Sequence, residues 1–260
     1  MTASAERGSI IYLEDITVDF DGFKALRNLN FIVDYRELRV VIGPNGAGKT
    51  TLLDVISGKV KPISGRVIFG KDTDLIGRPE HEIATLGIGR KFQTPSVYVN
   101  LTVMENLDLS LRRGSKGVFA TLRSKQTASE GEQIHAMMET IGLAAKAGVR
   151  AGALSHGEKQ WLEIGMVLLQ DPALLLVDEP VAGMTDRETE QTGILLQALA
   201  DRHSIIVIEH DMEFVRQIAR TITVLHEGTV LCEGSVDTIQ SDPRVVEIYL
   251  GRQRVADAPA

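Results

Sequence analysis

The sequence has a single cysteine, a single tryptophan and few aromatic residues of any kind, 5% in all. One cysteine forms no internal disulfide, so the fold must be held by its core and not by covalent staples. Cys232 stands in the strand-like run Thr-Val-Leu-Cys-Glu-Gly, where the role of a small buried hydrophobe is expected. No run approaches the ~18 consecutive apolar residues that span a bilayer. The opening Met-Thr-Ala-Ser-Ala-Glu-Arg-Gly-Ser lacks the apolar stretch of a secretory signal. Basic runs of five or more are missing too, and the net charge of −7 is spread along the chain. A nucleic-acid or anionic-lipid surface therefore has no compositional support. The expectation is a globular cytoplasmic chain whose contact with a membrane, if any, passes through a protein partner.

What is present is ample apolar material: 43% hydrophobic residues over 260 positions, enough for one large core. Residues 10–13, 17–20 and 31–33 read as strands, with Asp21-Gly22 as turn residues between them. Leu38 to Ile42 is a short run of buried-strand type, and 66–69 is another, bounded by Gly65 and Gly70. Two later runs, 174–177 and 205–208, are apolar, β-branched and bracketed by helical patterns. That alternation predicts an α/β fold with a parallel sheet and helices on its faces. Before those two runs, in the middle of the chain, Ile134, Met137, Met138 and Ile141 recur with helical spacing before Gly142, a stripe read as core packing. Residues 112–129 show little periodicity and read as a variable surface segment. The division expected is a core over 10–93 and 166–250, a helical insert over 94–165, and a frayed tail over 251–260.

The strongest chemical signal is Gly43-Pro44-Asn45-Gly46-Ala47-Gly48-Lys49-Thr50, which follows a buried strand and precedes a helix reaching Ser57. It fits G-x-x-x-x-G-K-[ST], the phosphate-binding loop. Gly43, Gly46 and Gly48 let the backbone turn its N–H groups toward phosphate oxygens. The helix that opens with Lys49, Thr50 and Thr51 points its positive end at the same anion. Lys49 is expected to reach the β- and γ-phosphates as a point charge, and the Thr50 hydroxyl to ligate Mg²⁺. Such a loop needs a carboxylate for the metal and a group that activates water. Asp178 and Glu179, at the end of the 174–177 strand, supply both: Asp178 beside Mg²⁺, Glu179 polarising the attacking water.

Leu154-Ser155-His156-Gly157-Glu158, upstream of that acidic pair, resembles the LSGGQ signature of ABC ATPases. The resemblance runs over nearly the whole chain and implies a P-loop NTPase core with a mainly parallel sheet, an N-terminal antiparallel β-subdomain and an inserted α-helical subdomain. It implies ATP and Mg²⁺ as ligands. Gln93, in Arg90-Lys-Phe-Gln, is similar to the Q-loop glutamine at the metal. His210, in Val207-Ile-Glu-His, is similar to the switch histidine. Phe20 takes the place of the aromatic that stacks on adenine, with Phe23 close enough to compete. Ser155, Gly157 and Glu158 stand where the family contacts a partner's ATP, and Ser155-x-x-Glu158 also reads as a helix capping box. Two departures stand out. His156 and Glu158 replace a glycine and a glutamine, and Ala182-Gly183-Met184-Thr185 replaces the D-loop Ser-Ala-Leu-Asp. Thr185-x-x-Glu188 reads as a second capping box.

Members of this family form head-to-tail ATPase dimers that drive two membrane permeases. The resemblance thus implies a second ATPase subunit, of a different chain, and permease contact near residues 93–106. It places the chain on the inner face of the cell membrane, touching neither nucleic acid nor the transported solute. Stretches around Trp161, Met184-Thr185 and Thr223-Val-Leu-His-Glu-Gly228 look most like the urea-type branch of the branched-chain amino acid importers. The function expected is therefore to power uptake of urea or short amides, with branched-chain amino acids as the alternative. A non-transport ABC ATPase or a degenerate ATP binder ranks lower. Trp161 is read as a packing residue.

Overall fold

The structure, a computed structural model, describes residues 8–91, 96–112 and 127–248. Gln93 and the 251–260 tail lie outside the described residues, as does most of the segment expected to be variable. Strands β1 (Ser9–Phe20) and β2 (Phe23–Asp34) form a hairpin across Asp21 and Gly22. Both turn residues have positive φ, 51° and 93°, which is what a tight hairpin turn of matching twist requires. The two strands expected at 10–13 and 17–20 are one strand of 12 residues. The break in pattern between them is a β-bulge: the register shifts between Leu13 and Ile16, and Asp15 sits at φ 51°. With β4 (Ser64–Phe69) and β5 (Thr73–Asp74) the hairpin completes a four-stranded antiparallel sheet in the order β2-β1-β4-β5.

The second sheet has six strands. They are β3 (Leu38–Ile42), β6 (Ile88–Lys91), β7 (Leu174–Asp178), β8 (Ser204–Ile208), β9 (Thr221–His226) and β10 (Thr229–Gly234), in the order β10-β9-β3-β8-β7-β6. All its pairings are parallel except β9 with β10. Every residue of β3, β7 and β8 is buried, so these strands are covered on both faces, and a period-two pattern is invisible in their sequence. Side-chain direction still alternates. Leu175 and Val177 point into one core with the helices, Leu174 and Leu176 into another beneath the antiparallel sheet. β10 is an edge strand, which leaves Cys232 half-buried and not fully enclosed as expected.

The described helices include α1 (Lys49–Ile56), α2 (Glu80–Thr85), α3 (Val103–Arg112), α4 (Ala128–Thr140), α5 (His156–Leu168), α6 (Asp186–Ala200), α7 (Met212–Ile218) and α8 (Val236–Ser241). α1 packs Leu52, Leu53 and Ile56 into the core under the antiparallel sheet, whereas α5 packs Trp161, Leu162 and Ile164 into the other. Ile134, Met138 and Ile141 of the predicted stripe are buried, and Gly142 closes the helix at φ 69°. α4 starts at Ala128, inside the stretch expected to be irregular, because Thr127 and Glu130 form a reciprocal capping box. α5 continues to Leu168, so residue 165 lies within a helix.

Candidate nucleotide-binding site

The parallel strands end at one edge, and the chemistry-bearing residues collect there. Gly43 follows β3, Lys91 ends β6, Asp178 ends β7, and His210 comes two residues after β8. Asp178 pairs with Ile208 and Lys91 with Val177, which fixes these ends level with one another. The carboxyl end of a parallel sheet is where ligands bind in open α/β folds.

Between β3 and α1 the loop is held tightly on one side and left open on the other. A Cβ on Gly43 would lie 2.2 Å from the Leu225 carbonyl oxygen, and one on Gly48 would lie 2.6 Å from that of Ala25. A Cβ on Gly46 would meet nothing within 4 Å. Two glycines are thus required by the protein's own backbone, and the third faces open space at the tip. Pro44 is half-buried, Asn45 exposed and Ala47 buried, so the loop alternates between anchoring and presenting residues. Lys49 is buried, and its ammonium donates to the carbonyls of Gly43 at 2.8 Å and Pro44 at 3.1 Å. Thr50 is exposed at the first turn of α1, with Thr51 half-buried beside it.

Asp178 is buried, and burial raises its pKa above the usual carboxylate range, with the nearby Arg90 guanidinium opposing the shift. Arg90 Nη2 is 4.0 Å from its carboxylate. The donor set here, one carboxylate and one threonine hydroxyl, is the all-oxygen chemistry that Mg²⁺ takes. A hard cation would also compensate the desolvated charge of Asp178. Among the described residues no three His, Cys, Asp or Glu side chains group to hold a metal by themselves. A cation bound here would leave room in its shell for phosphate oxygens, as Mg²⁺ bound with a nucleotide does.

Glu179 has φ 44°, a left-handed conformation that a non-glycine residue adopts only when its surroundings enforce it. Its N–H donates to Ile208 at 3.0 Å, locking the turn to β8. The exposed His210 places Nδ1 3.6 Å from Glu179 Oε1. Behind them lies Glu209, fully buried, accepting from the N–H groups of His210 at 2.9 Å and of Asp211 and Val181 at 3.4 Å. Burial raises the Glu209 pKa, and those three donors oppose it. Glu209 thereby fixes the loop that carries His210. Beside it a cleft of about 400 Å³ is lined by Gly183, Asp186, Glu190, His210, Asp211 and Gln217, among others, and by none of the phosphate-loop residues.

Phe20 and Phe23 face each other across the hairpin turn, 47% and 60% exposed, so both present an uncovered aromatic face. Ser155 caps α5, accepting from the Glu158 N–H while Glu158 accepts from the Ser155 N–H. Ser155 is exposed and Gly157 buried, and Lys146 pairs with Glu158. Trp161 is buried and donates to Thr192 at 2.9 Å, tying α5 to α6. Sequence reasoning passed over Arg90, Lys91, Glu163 and Glu209. Arg90 joins α1 to the Asp178 side of the site through Asp54 and Ser57, both at 2.7 Å. Lys91 is wholly buried and donates to the Asp178 carbonyl at 3.3 Å. Glu163 of α5 accepts from the Ser96 N–H at 3.1 Å. The only sequence signal for these was charge within an otherwise apolar strand or helix face.

Residues 26–182 match the ABC transporter family, and residues 229–254 match the branched-chain amino acid ATP-binding cassette transporter family. The chain is 33% identical to the high-affinity branched-chain amino acid transport ATP-binding protein LivG of Escherichia coli K12, over 93% of this chain and 98% of that one. It is 32% identical to the corresponding protein BraF of Pseudomonas aeruginosa, with the same coverage. Among solved structures, an ATP-binding cassette of an ABC transporter in its ADP conformation superposes with a TM-score of 0.81 at 32% identity, covering 94% of this chain and 99% of that one. A nucleotide-free cassette gives 0.80 at 31%, covering 93% and 99%. The chain belongs to the ABC transporter family, in its branched-chain amino acid branch, whose ATP-binding cassettes hydrolyse ATP to power transport.

Proposed function

We propose that the chain is the ATP-hydrolysing subunit of a branched-chain amino acid importer. The observation that carries this is similarity over 93% of the chain to ATPases of such importers, joined to a phosphate loop, Asp178 and Glu179 at one sheet edge. The resemblance to the urea-type branch noted around Trp161 and Met184-Thr185 supports urea as a second reading. The relatives named above favour the amino-acid reading.

In the proposed cycle, ATP lies along the Gly43–Thr50 loop, its adenine against Phe20 or Phe23. Lys49 leaves the Gly43 and Pro44 carbonyls for the β- and γ-phosphate oxygens, a move between acceptors that leaves its charge compensated throughout. Thr50, Asp178 and Gln93 would hold Mg²⁺, which would supply neutralisation of the phosphate charge. Glu179, fixed by its strained turn, orients and polarises the attacking water, and His210 beside it steadies the γ-phosphate. Ser155, Gly157 and Glu158 act on the ATP of a second, non-identical ATPase subunit in a head-to-tail dimer. Binding favours the closed dimer and hydrolysis the open one, and permeases seated near residues 93–106 follow that population shift. Among the described residues no helix is long and apolar enough to cross a membrane. In the proposed assembly the permeases hold the chain at the inner face. The solute is chosen elsewhere in the assembly. Deleting the gene and measuring uptake of labelled leucine and labelled urea at low concentration tests the reading. Loss of leucine uptake supports it, and loss of urea uptake alone moves the assignment to urea.

A further inference from the structure

Glu188, in the first turn of α6, divides its two carboxylate oxygens between two elements. Oε2 accepts from the Thr185 N–H at 3.0 Å and the Thr185 hydroxyl at 2.9 Å, closing the cap of α6 at the end of the D-loop. Oε1 accepts from the Ser155 hydroxyl at 2.7 Å, at the cap of α5. The side chain also lies against the signature glycine: a Cβ on Gly157 would fall 2.6 Å from Glu188 Cδ. Ser155 Oγ meanwhile accepts from the Glu158 N–H at 3.1 Å. A hydroxyl has one hydrogen to give, and in this structure Glu188 receives it.

We propose that Glu188 is a positioning residue that couples the D-loop to the signature serine, so that Ser155 reaches an ATP phosphate only by letting go of Glu188. This rests on the reading that Ser155 acts on a partner subunit's ATP. The phosphate and Glu188 Oε1 compete for one proton, and a phosphate arriving beside a carboxylate repels it. The Thr185 N–H and Ser155 hydroxyl that hold Glu188 also lower its pKa, so it meets the phosphate as an anion. Once released, Glu188 remains bonded to Thr185, and the segment before Thr185 takes up the change. That segment leads straight to the water-activating residue: the Met184 N–H donates to Val181 at 3.1 Å, and the Ala182 N–H to the Glu179 carbonyl at 3.4 Å. Where the family pattern has a D-loop aspartate, this chain has Thr185 and a shared glutamate three residues on. The coupling is a competition between two acceptors and needs no contact from the missing aspartate.

The test is ATP hydrolysis by the assembled transporter as a function of ATP concentration, for wild type, Glu188→Gln, Ser155→Ala and the double variant. Glu188→Gln keeps the shape and removes the charge. Its KM for ATP should fall about tenfold, the lower end of what one hydrogen bond to a charged group contributes, and its Hill coefficient should drop toward one. In the Ser155→Ala background the same substitution should lower KM clearly less, because the contested proton is gone and only the charge repulsion remains. Unchanged KM and Hill coefficient in Glu188→Gln, whether or not its melting temperature falls, overturn the coupling while Ser155→Ala still impairs turnover. If Ser155→Ala leaves hydrolysis at the wild-type level, the trans reading of Ser155 fails first, and the coupling with it.

Discussion

Lys91 offers the sharpest measurement of how this site is built. It ends β6, is wholly buried, and donates to the Asp178 carbonyl. Burial depresses its pKa from 10.5 to about 8, against the pull of Glu163, Asp178, Glu209 and Glu179 nearby. Between those two pH values the unfolded chain still holds a proton at Lys91 that the folded chain has released. Stability from this group therefore rises with pH through that window, and below it both states are protonated and the dependence vanishes. The slope is at most about 1.4 kcal/mol per pH unit, or about 3 kcal/mol across the window. Lys91→Met keeps the aliphatic stem and abolishes the titration. Urea unfolding from pH 7.5 to 10.5 should show wild-type stability gaining on the variant as pH rises. The fluorescence of Trp161, the single tryptophan, reports the transition. The comparison removes groups that titrate in both proteins, such as the tyrosines. If the two stability curves stay parallel across the window, Lys91 does not lose its proton there, and the account of a desolvated ammonium is wrong.

Lys49→Ala should lose ATP affinity and turnover together, whereas Glu179→Gln should keep ATP bound and hydrolyse it ~10²-fold more slowly, the loss of a base that acts only on water. Nucleotide binding and single-turnover hydrolysis separate the two, and a Glu179→Gln protein with wild-type turnover would falsify its assignment. Gly43→Ala forces a Cβ to within 2.2 Å of the Leu225 carbonyl. It should destabilise the chain by about 3 kcal/mol or more in chemical denaturation and abolish nucleotide binding; a normally stable, ATP-binding variant would contradict that close approach. Trp161→Phe keeps the apolar contact and leaves Thr192 without its donor. A loss of about 1–2 kcal/mol by circular dichroism is expected, and a loss indistinguishable from zero would show that the bond to α6 contributes nothing.

The antiparallel hairpin, the buried strands β3, β7 and β8 and the position of the phosphate loop were legible because local signals agreed there. A short apolar run, a glycine-rich turn and a capped helix each restrict the backbone on their own. The bulge at Asp15 was not legible, since a local shift in register looks in sequence like the end of one strand and the start of the next. The start of α4 at Ala128 was missed for a related reason. Its capping box at Thr127 and Glu130 stood in a stretch whose weak periodicity masked it.

By itself the sequence determined which residue types are suited to phosphate, metal and water, because Gly43 to Thr50 and Asp178-Glu179 stand at fixed spacings from a strand end. It also determined the family, since the order of motifs along a chain is a property of sequence. Only the tertiary structure decided what holds those residues in place. The Arg90 bonds to Asp54 and Ser57, the burial of Lys91 against Asp178, and the sharing of Glu188 between Ser155 and Thr185 join elements far apart in the chain. A charged side chain in sequence carries no mark of its distant partner. Its pKa and its role follow from desolvation and geometry, which exist only once the sheet edge and the caps of α5 and α6 have come together.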